Sequence, residues 1–338
     1  MSDGTVLVAR LDSMGDVLLS GPAVRAVAHG ADRVVYLAGP RGAEAAAMLP
    51  GVDEVLTWCA PWIAADPPPV DREEVTGLVE RLSRVGADAA VLLTSFHQSP
   101  LPLALLLRMA GVPRICAVSE DYPGSLLDVR HHVAHGVPEA ERMLSVAEAA
   151  GYPPPVGETG RLAVRRPLPD TRELTGPGGY AVVHVGADAP SRELPPDLAA
   201  KTVAALAERG HRVLVTGSAS EADLAGEIAA HGGADLAGRT TVTELADLLD
   251  RAAVLVSGNT GPAHLAAAVG TPVVSLFSPV VPASAWAPYG TPVRVLGDQW
   301  APCADTRARV CPVPGHPCLN SVSSDDVLTA VDELLGER

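Results

Sequence analysis

Val254-Leu-Val-Ser-Gly-Asn-Thr-Gly-Pro-Ala-His-Leu-Ala-Ala-Ala-Val-Gly-Thr-Pro-Val-Val-Ser275 is the stretch on which the reading of this chain turns. An apolar strand over 253–256 runs into a polar hinge, Ser257-Gly258-Asn259-Thr260-Gly261. Pro262 then opens a helix, where its missing N–H removes a donor that has no helical partner in any case. Ala266, Ala267 and Ala268 are small enough to let this helix lie close on a sheet. Gly270-Thr271-Pro272 stops it, and 273–276 reads as the next buried parallel strand. A strand, a glycine turn and a helix start with no evident cap make an anion site, because the N–H groups of the first turn and the positive end of the helix point above the sheet. The expected occupant is a nucleotide diphosphate.

Working outward, 338 residues exceed one ordinary core and suit two domains. A mean hydropathy of +0.21 with only 3% aromatics points to a core packed with Ala, Val and Leu, as in α/β layers. The net charge of −15 argues against a nucleic-acid partner or an anionic membrane surface. No apolar run reaches the roughly 18–20 residues of a membrane span. The first residues lack the basic and apolar regions of a signal peptide, and five cysteines form no disulfide framework. The expectation is a cytoplasmic protein with at most peripheral membrane contact.

In the first half, strands read at 5–9, 34–38, 52–58, 89–93 and 114–118, separated by helical runs at 17–27, 41–49, 71–85 and 100–110. Such βα alternation implies a right-handed, mostly parallel sheet. Prolines and glycines break the pattern between Gly151 and Gly179, where the interdomain linker is expected. Alternation restarts with strands at 180–185, 212–216, 234–237, 253–256 and 273–276, and helices at 196–208, 221–231 and 243–249. A last helix spans 324–335, with Ser323 or Ser324 as its N-cap. Two doubly wound domains follow, 1–160 and 161–338, with ligands expected beyond the carboxyl ends of the strands. The last helix is free by this reading to pack back on the first domain. Neither glycine turn carries the dinucleotide fingerprint, and no Gly-x-x-x-x-Gly-Lys-Ser/Thr loop is present. This counts against a dehydrogenase and a P-loop nucleotidase.

Ser13-Met14-Gly15-Asp16 after the first strand, together with Ser257 to Ala266, resembles glycosyltransferase family 9, the heptosyltransferases. Val215-Thr216-Gly217-Ser218, Leu236-Ala237-Gly238-Arg239-Thr240 and Pro312 to Leu319 agree in order and spacing, so the resemblance covers essentially the whole chain. It implies a GT-B fold of two Rossmann-like domains facing each other across a cleft. The first domain then binds the acceptor and the second the nucleotide sugar. It also implies inverting, metal-independent transfer of a sugar, typically from ADP-heptose, to a hydroxyl of a glycan or small-molecule acceptor. Closure about the linker would exclude water.

On this resemblance Asp16 matches the general base. Inverting transfer independently requires one carboxylate to take the acceptor's hydroxyl proton, although an acid at a helix start also simply complements the helix dipole. Ser13, Met14, Gly15 and Arg10 fall on the acceptor side, and Arg10 is a second candidate cation for the diphosphate. Arg192, in Ala189-Pro-Ser-Arg-Glu-Leu-Pro195, stands where the family usually has a lysine and keeps the charge with a bidentate fork. Leu194 replaces the family's aromatic. Asn259 replaces a frequent Asp, removing a negative charge beside the diphosphate. Thr260, Gly261 and Pro262 complete the donor turn. His264 could reach a phosphate or pack in the core. Glu221 could accept from a ribose hydroxyl or cap a helix. His184 reads as structural.

Cys303, Cys311 and Cys318 with His316 invite a zinc reading, but no Cys-x-x-Cys pair is present. His131-His132-x-x-His135 reads as a surface cluster, so no metal is expected. Two rival readings remain. A sugar-nucleotide epimerase or hydrolase would turn over the donor without an acceptor, and an inactive nucleotide-sugar-binding protein would turn over nothing.

Overall fold

The computed structural model describes residues 3–134 and 136–336, so the His135 position of the histidine cluster lies outside the described residues. The chain divides into two compact units, Met1–Arg165 and Arg166–Arg338.

In the first unit the elements run β1 (Asp3–Arg10), α1 (Met14–Leu19), α2 (Gly21–Gly30), β2 (Ala31–Ala38), α3 (Ala43–Met48) and β3 (Glu54–Thr57). After them come α4 (Arg72–Val85), β4 (Ala89–Leu92), α5 (Leu101–Met109), β5 (Arg114–Val118), β6 (Val129–His131) and α6 (Glu139–Ala149). All strand pairs are parallel, in the order β3-β2-β1-β4-β5-β6. Helices on both faces explain why the central strands read as continuous apolar runs; Val6, Leu7 and Val8 of β1 have no exposure. The expected helix at 17–27 is two helices. The Ser20 hydroxyl donates to the Val17 carbonyl at 2.6 Å and lies 2.8 Å from the Tyr36 hydroxyl, which ends the first turns before α2 begins. Helix α4 starts where Asp71 accepts from the N–H groups of Glu73 and Glu74, and stops at Gly86 in the left-handed conformation.

The second unit repeats this plan. Its elements are α7 (Arg172–Thr175), β7 (Ala181–His184), α8 (Pro196–Glu208), β8 (Val213–Thr216), α9 (Ala222–Ala229), β9 (Gly233–Asp235) and α10 (Val242–Asp250). They continue with β10 (Val254–Gly258), α11 (Gly261–Val269), β11 (Val273–Leu276), α12 (Ala283–Trp286), β12 (Val293–Leu296), α13 (Pro317–Asn320) and α14 (Ser324–Gly336). The sheet is again parallel, ordered β12-β11-β10-β7-β8-β9. In both sheets chain order reverses beside the first strand, between β1 and β4 and between β7 and β10. These are the two switch points at which a doubly wound sheet opens a crevice for ligand.

The boundary between the units, after Arg165, falls within the stretch from Gly151 to Gly179. This stretch is packed: Tyr152, Leu162 and Val164 are buried, and Arg25 meets Glu158 at 2.7 Å. Its later part is held on the second unit, where Thr171 donates to Asp247 through both N–H and hydroxyl. The last helix spends its apolar face, Val327, Leu328, Val331 and Leu334, in the core of its own unit. Ser323 is its N-cap, exchanging hydrogen bonds with Asp326. No helix among the described residues is long and apolar enough to cross a membrane.

Candidate active site

In the first unit the β1/β4 switch point is built around one buried guanidinium. Arg10, the last residue of β1, has no solvent exposure. Its Nη2 donates to Asp16 Oδ1 and to Ser95 Oγ, both at 2.8 Å. Its Nε lies 2.7 Å from Asp12 Oδ2, an ionic contact without the alignment of a hydrogen bond. Glu139 Oε2 of α6 stands 3.7 Å from Nη1, and Met143 Sδ 3.9 Å. Asp16 lies in the first turn of α1, and its other oxygen accepts from the Ser13 hydroxyl at 2.9 Å. Ser13 is the N-cap residue, yet its side chain serves Asp16 instead of the backbone. With its side chain 19% exposed, against 13% for Asp12 and 2% for Glu139, Asp16 is the most open carboxylate of a set whose centre is closed.

The charges offset one another. Burial opposes ionisation of Arg10, but Asp12, Asp16 and Glu139 outweigh it and hold the guanidinium above its ordinary range. Burial raises the carboxyls of Asp12 and Glu139 despite Arg10. Burial lowers Arg142, whose Nη1 donates to the Thr94 carbonyl and lies 3.5 Å from Glu139. Gln98 donates to Asp12 Oδ1. Arg10 thus anchors Asp16, with its charge enclosed by carboxylates and shut off from solvent.

In the second unit the β7/β10 switch point presents the turn from β10 into α11. Thr260, the N-cap of α11, is extended (φ −145°, ψ 165°) and its side chain makes no capping bond, so the helix start is uncapped as the sequence suggested. Ala266, Ala267 and Ala268 are buried, and Gly270 closes the helix at φ 88°. The backbone of the Arg192 loop rests on this turn: a Cβ at Gly258 would stand 2.1 Å from the Arg192 carbonyl oxygen, so only glycine permits the approach. Ser191 ties the loop down through its hydroxyl to Ala308 O at 2.6 Å. Leu194 is 1% exposed and fills the core. Asn259 and His264 are buried, the latter one turn into α11 as a packed side chain.

Glu221 takes the Ser218 N–H on Oε2 at 2.7 Å as half of a capping box. A Cβ at Gly186 would lie 1.8 Å from Glu221 Oε1, so the carboxylate lies over the end of β7 in space a side chain would fill. Beneath it, His184 Nδ1 lies 3.0 Å from Thr216 Oγ1, and burial pushes its imidazole down to about 4. The folded protein therefore keeps His184 neutral where the unfolded chain, titrating near 6.5, is protonated. Its contribution is complete above pH 6.5 and is lost as pH falls toward 4, by about 3 kcal/mol. Urea unfolding of His184→Gln between pH 7 and 4.5 should show a shallower pH slope than the parent; identical slopes would refute this.

Cys303 and Cys318 are core residues, and burial pushes the Cys303 thiol up to about 11. The five cysteines are unpaired thiols. Among the described residues, no group of three or more His, Cys, Asp and Glu is placed to hold a metal ion. His131 lies 3.1 Å from the Ser145 hydroxyl.

Residues 75–316 match the family model of glycosyltransferase family 9 (heptosyltransferase). The chain belongs to this family. It is therefore a glycosyltransferase, and its relatives carry that activity in their names. It is 29% identical to lipopolysaccharide heptosyltransferase 1 of Pseudomonas aeruginosa over 90% of this chain and 87% of that one. With lipopolysaccharide heptosyltransferase 3 of Escherichia coli it shares 34% identity over 143 residues, so the match spans 39% of that protein's length. The solved structure of an E. coli heptosyltransferase with ADP-2-deoxy-2-fluoro heptose superposes with a TM-score of 0.74 at 22% identity, covering 97% of this chain and 99% of that one. The fold is thus of GT-B type, with two Rossmann-like units. Within the family match lie Arg192, Glu221 and the 258–264 turn, whereas Arg10 to Asp16 precede it.

Sequence reading of this family 9 chain does not single out Asp12, Ser95, Gln98, Glu139 or Arg142. A signal exists for two of them. Thr94-Ser95-Phe96-His97-Gln98 is a polar run directly after β4, and in this strand order β4 lies beside β1. Glu139 and Arg142 have no local signal, since charged residues on a helix normally read as its solvent face.

Proposed function

We propose that the chain transfers heptose from ADP-heptose to a hydroxyl of a glycan or small-molecule acceptor in the cytoplasm, with inversion and without a divalent cation. In this reading the first unit binds the acceptor and the second the donor. The observation that carries it is Asp16, partly open at the β1/β4 switch point and oriented through both oxygens by Arg10 and Ser13. ADP as the donor nucleotide is supported by the ligand in the E. coli heptosyltransferase structure. The acceptor oxygen attacks the anomeric carbon on the face opposite the diphosphate while Asp16 takes its proton. The carbon–oxygen bond to phosphate breaks, and its electron pair leaves with ADP. The charge that develops there is met by Arg192 and by the uncapped start of α11. In this reading Glu221, over Gly186, accepts from a ribose hydroxyl through Oε1, while Oε2 takes the Ser218 N–H.

Calorimetric titration with ADP, UDP, GDP and an ADP-sugar, in the absence of divalent cations, tests the donor half. ADP and the ADP-sugar should bind, and Arg192→Ala should weaken both at least tenfold, about 1.4 kcal/mol. Absence of binding by every nucleotide would sink the reading. Consumption of the ADP-sugar at full rate without an acceptor would replace it with an epimerase or hydrolase.

A further inference from the structure

The carboxyl ends of β1, β2 and β3 enclose a cavity of about 200 Å³ beside the buried guanidinium. Its wall is formed by the β1–α1 turn, the β2–α3 turn and the segment after β3. Leu11, Ile63 and Ala64 make much of its surface apolar, and its charged members are Asp12, Arg41 and Asp66. Asp12 is common to the cavity and to the cluster around Arg10, which in turn holds Asp16. A second feature lies in the β4–α5 loop. Phe96 is 45% exposed between Ser95, which Arg10 holds, and Gln98, which donates to Asp12. An apolar cavity and an exposed aromatic ring are thus both attached to the residues around Asp16.

The charges of this region do not suit an anionic ligand. Arg10 is enclosed by Asp12, Asp16 and Glu139. Arg142 engages Glu139 and the Thr94 carbonyl, and Arg41 shares the cavity wall with Asp12, whose carboxyl burial keeps raised. With Asp66 at the cavity wall, four carboxylates stand against three guanidiniums. A phosphate or carboxylate brought to Asp16 meets like charge, which costs affinity and encounter rate. A ring with an apolar face loses nothing there and gains burial and stacking.

We infer that the acceptor is an uncharged, hydroxyl-bearing molecule with an apolar ring face, seated between Phe96 and the cavity behind Asp12, and not a phosphorylated or polycarboxylate glycan. The inference rests on the proposed reading of Asp16 as base and adds the chemical class of what Asp16 deprotonates.

The test uses 4-nitrophenyl β-glucoside and its 6-phosphate as probes, titrated into the full chain at matched ionic strength and followed by saturation-transfer NMR. The neutral glucoside should bind at least tenfold more tightly than the phosphate. Phe96→Ala should weaken the glucoside several-fold, and Ala65→Lys, an exposed position on the cavity wall, should narrow the preference by adding a cation. Equal or tighter binding of the phosphate, or no binding of either probe, overturns the inference. A nucleotide-sugar titration of the same sample separates the two levels. If the ADP-sugar binds while the phosphate is preferred, only the acceptor class is wrong. If no nucleotide binds, the transferase reading falls and this inference with it.

Discussion

Replacing Asp16 with Asn is expected to lower kcat by about 10²–10⁴-fold, roughly 3–5 kcal/mol of barrier. The change keeps shape and leaves an oxygen to accept from Arg10 or Ser13, but it removes the only charge able to take the acceptor proton at that position. Donor affinity should be unchanged, because the residues proposed to hold the donor, Arg192, Glu221 and the α11 start, belong to a separate sheet. Stability should change little, since Asp12 and Glu139 still stand against Arg10. Steady-state kinetics with saturating donor, alongside donor titration, make the comparison. A variant within a few-fold of the parent kcat would show that Asp16 complements the helix dipole and nothing more.

The second large effect is on stability. Arg10→Met removes a fully buried cation and leaves three carboxylates around an apolar side chain. Breaking a buried pair on one side typically costs about 3–5 kcal/mol, because the remaining charge has neither partner nor water. The sign of the pH dependence follows. Burial already raises Asp12 and Glu139 with Arg10 present, and without it they rise further. A carboxyl whose folded value is raised contributes stability below its unfolded value near 4 and loses it as pH climbs toward the folded value. The deficit of Arg10→Met should therefore be larger at pH 7 than at pH 5. Urea melts at the two pH values decide this, and a deficit independent of pH would mean that the carboxylates find other partners.

How much of this was legible in the residues alone depended on burial. The strands buried on both faces, such as 5–9, 89–93 and 253–256, are uninterrupted apolar runs, and the reading places them within a residue or two of β1, β4 and β10. The edge strands β6 and β12 are short and half-exposed, so nothing apolar announces them. Helix α6 is absent from the reading for a different reason. Its buried face includes Glu139 and Arg142, so the charges that stabilise the site erase the apolar stripe by which a helix is recognised. The donor turn was the most legible part of the site, because glycine hinge, proline and alanines are contiguous from 258 to 268. Conversely, the distant partners of Arg10, Ser95 and Glu139, were not legible, since they are brought to it by strand order and not by local pattern.

The repeated strand order has a thermodynamic consequence. Each unit owns a complete six-stranded sheet and a core of its own, one around Leu7, Leu37 and Leu92 and the other around Val183, Val256 and Leu319. Two melting events are then expected rather than one, and a single midpoint would average them. The indoles are divided between them, Trp58 and Trp62 in the first and Trp286 and Trp300 in the second. Loss of Arg10 should displace the calorimetric transition that the first pair reports and leave the other in place.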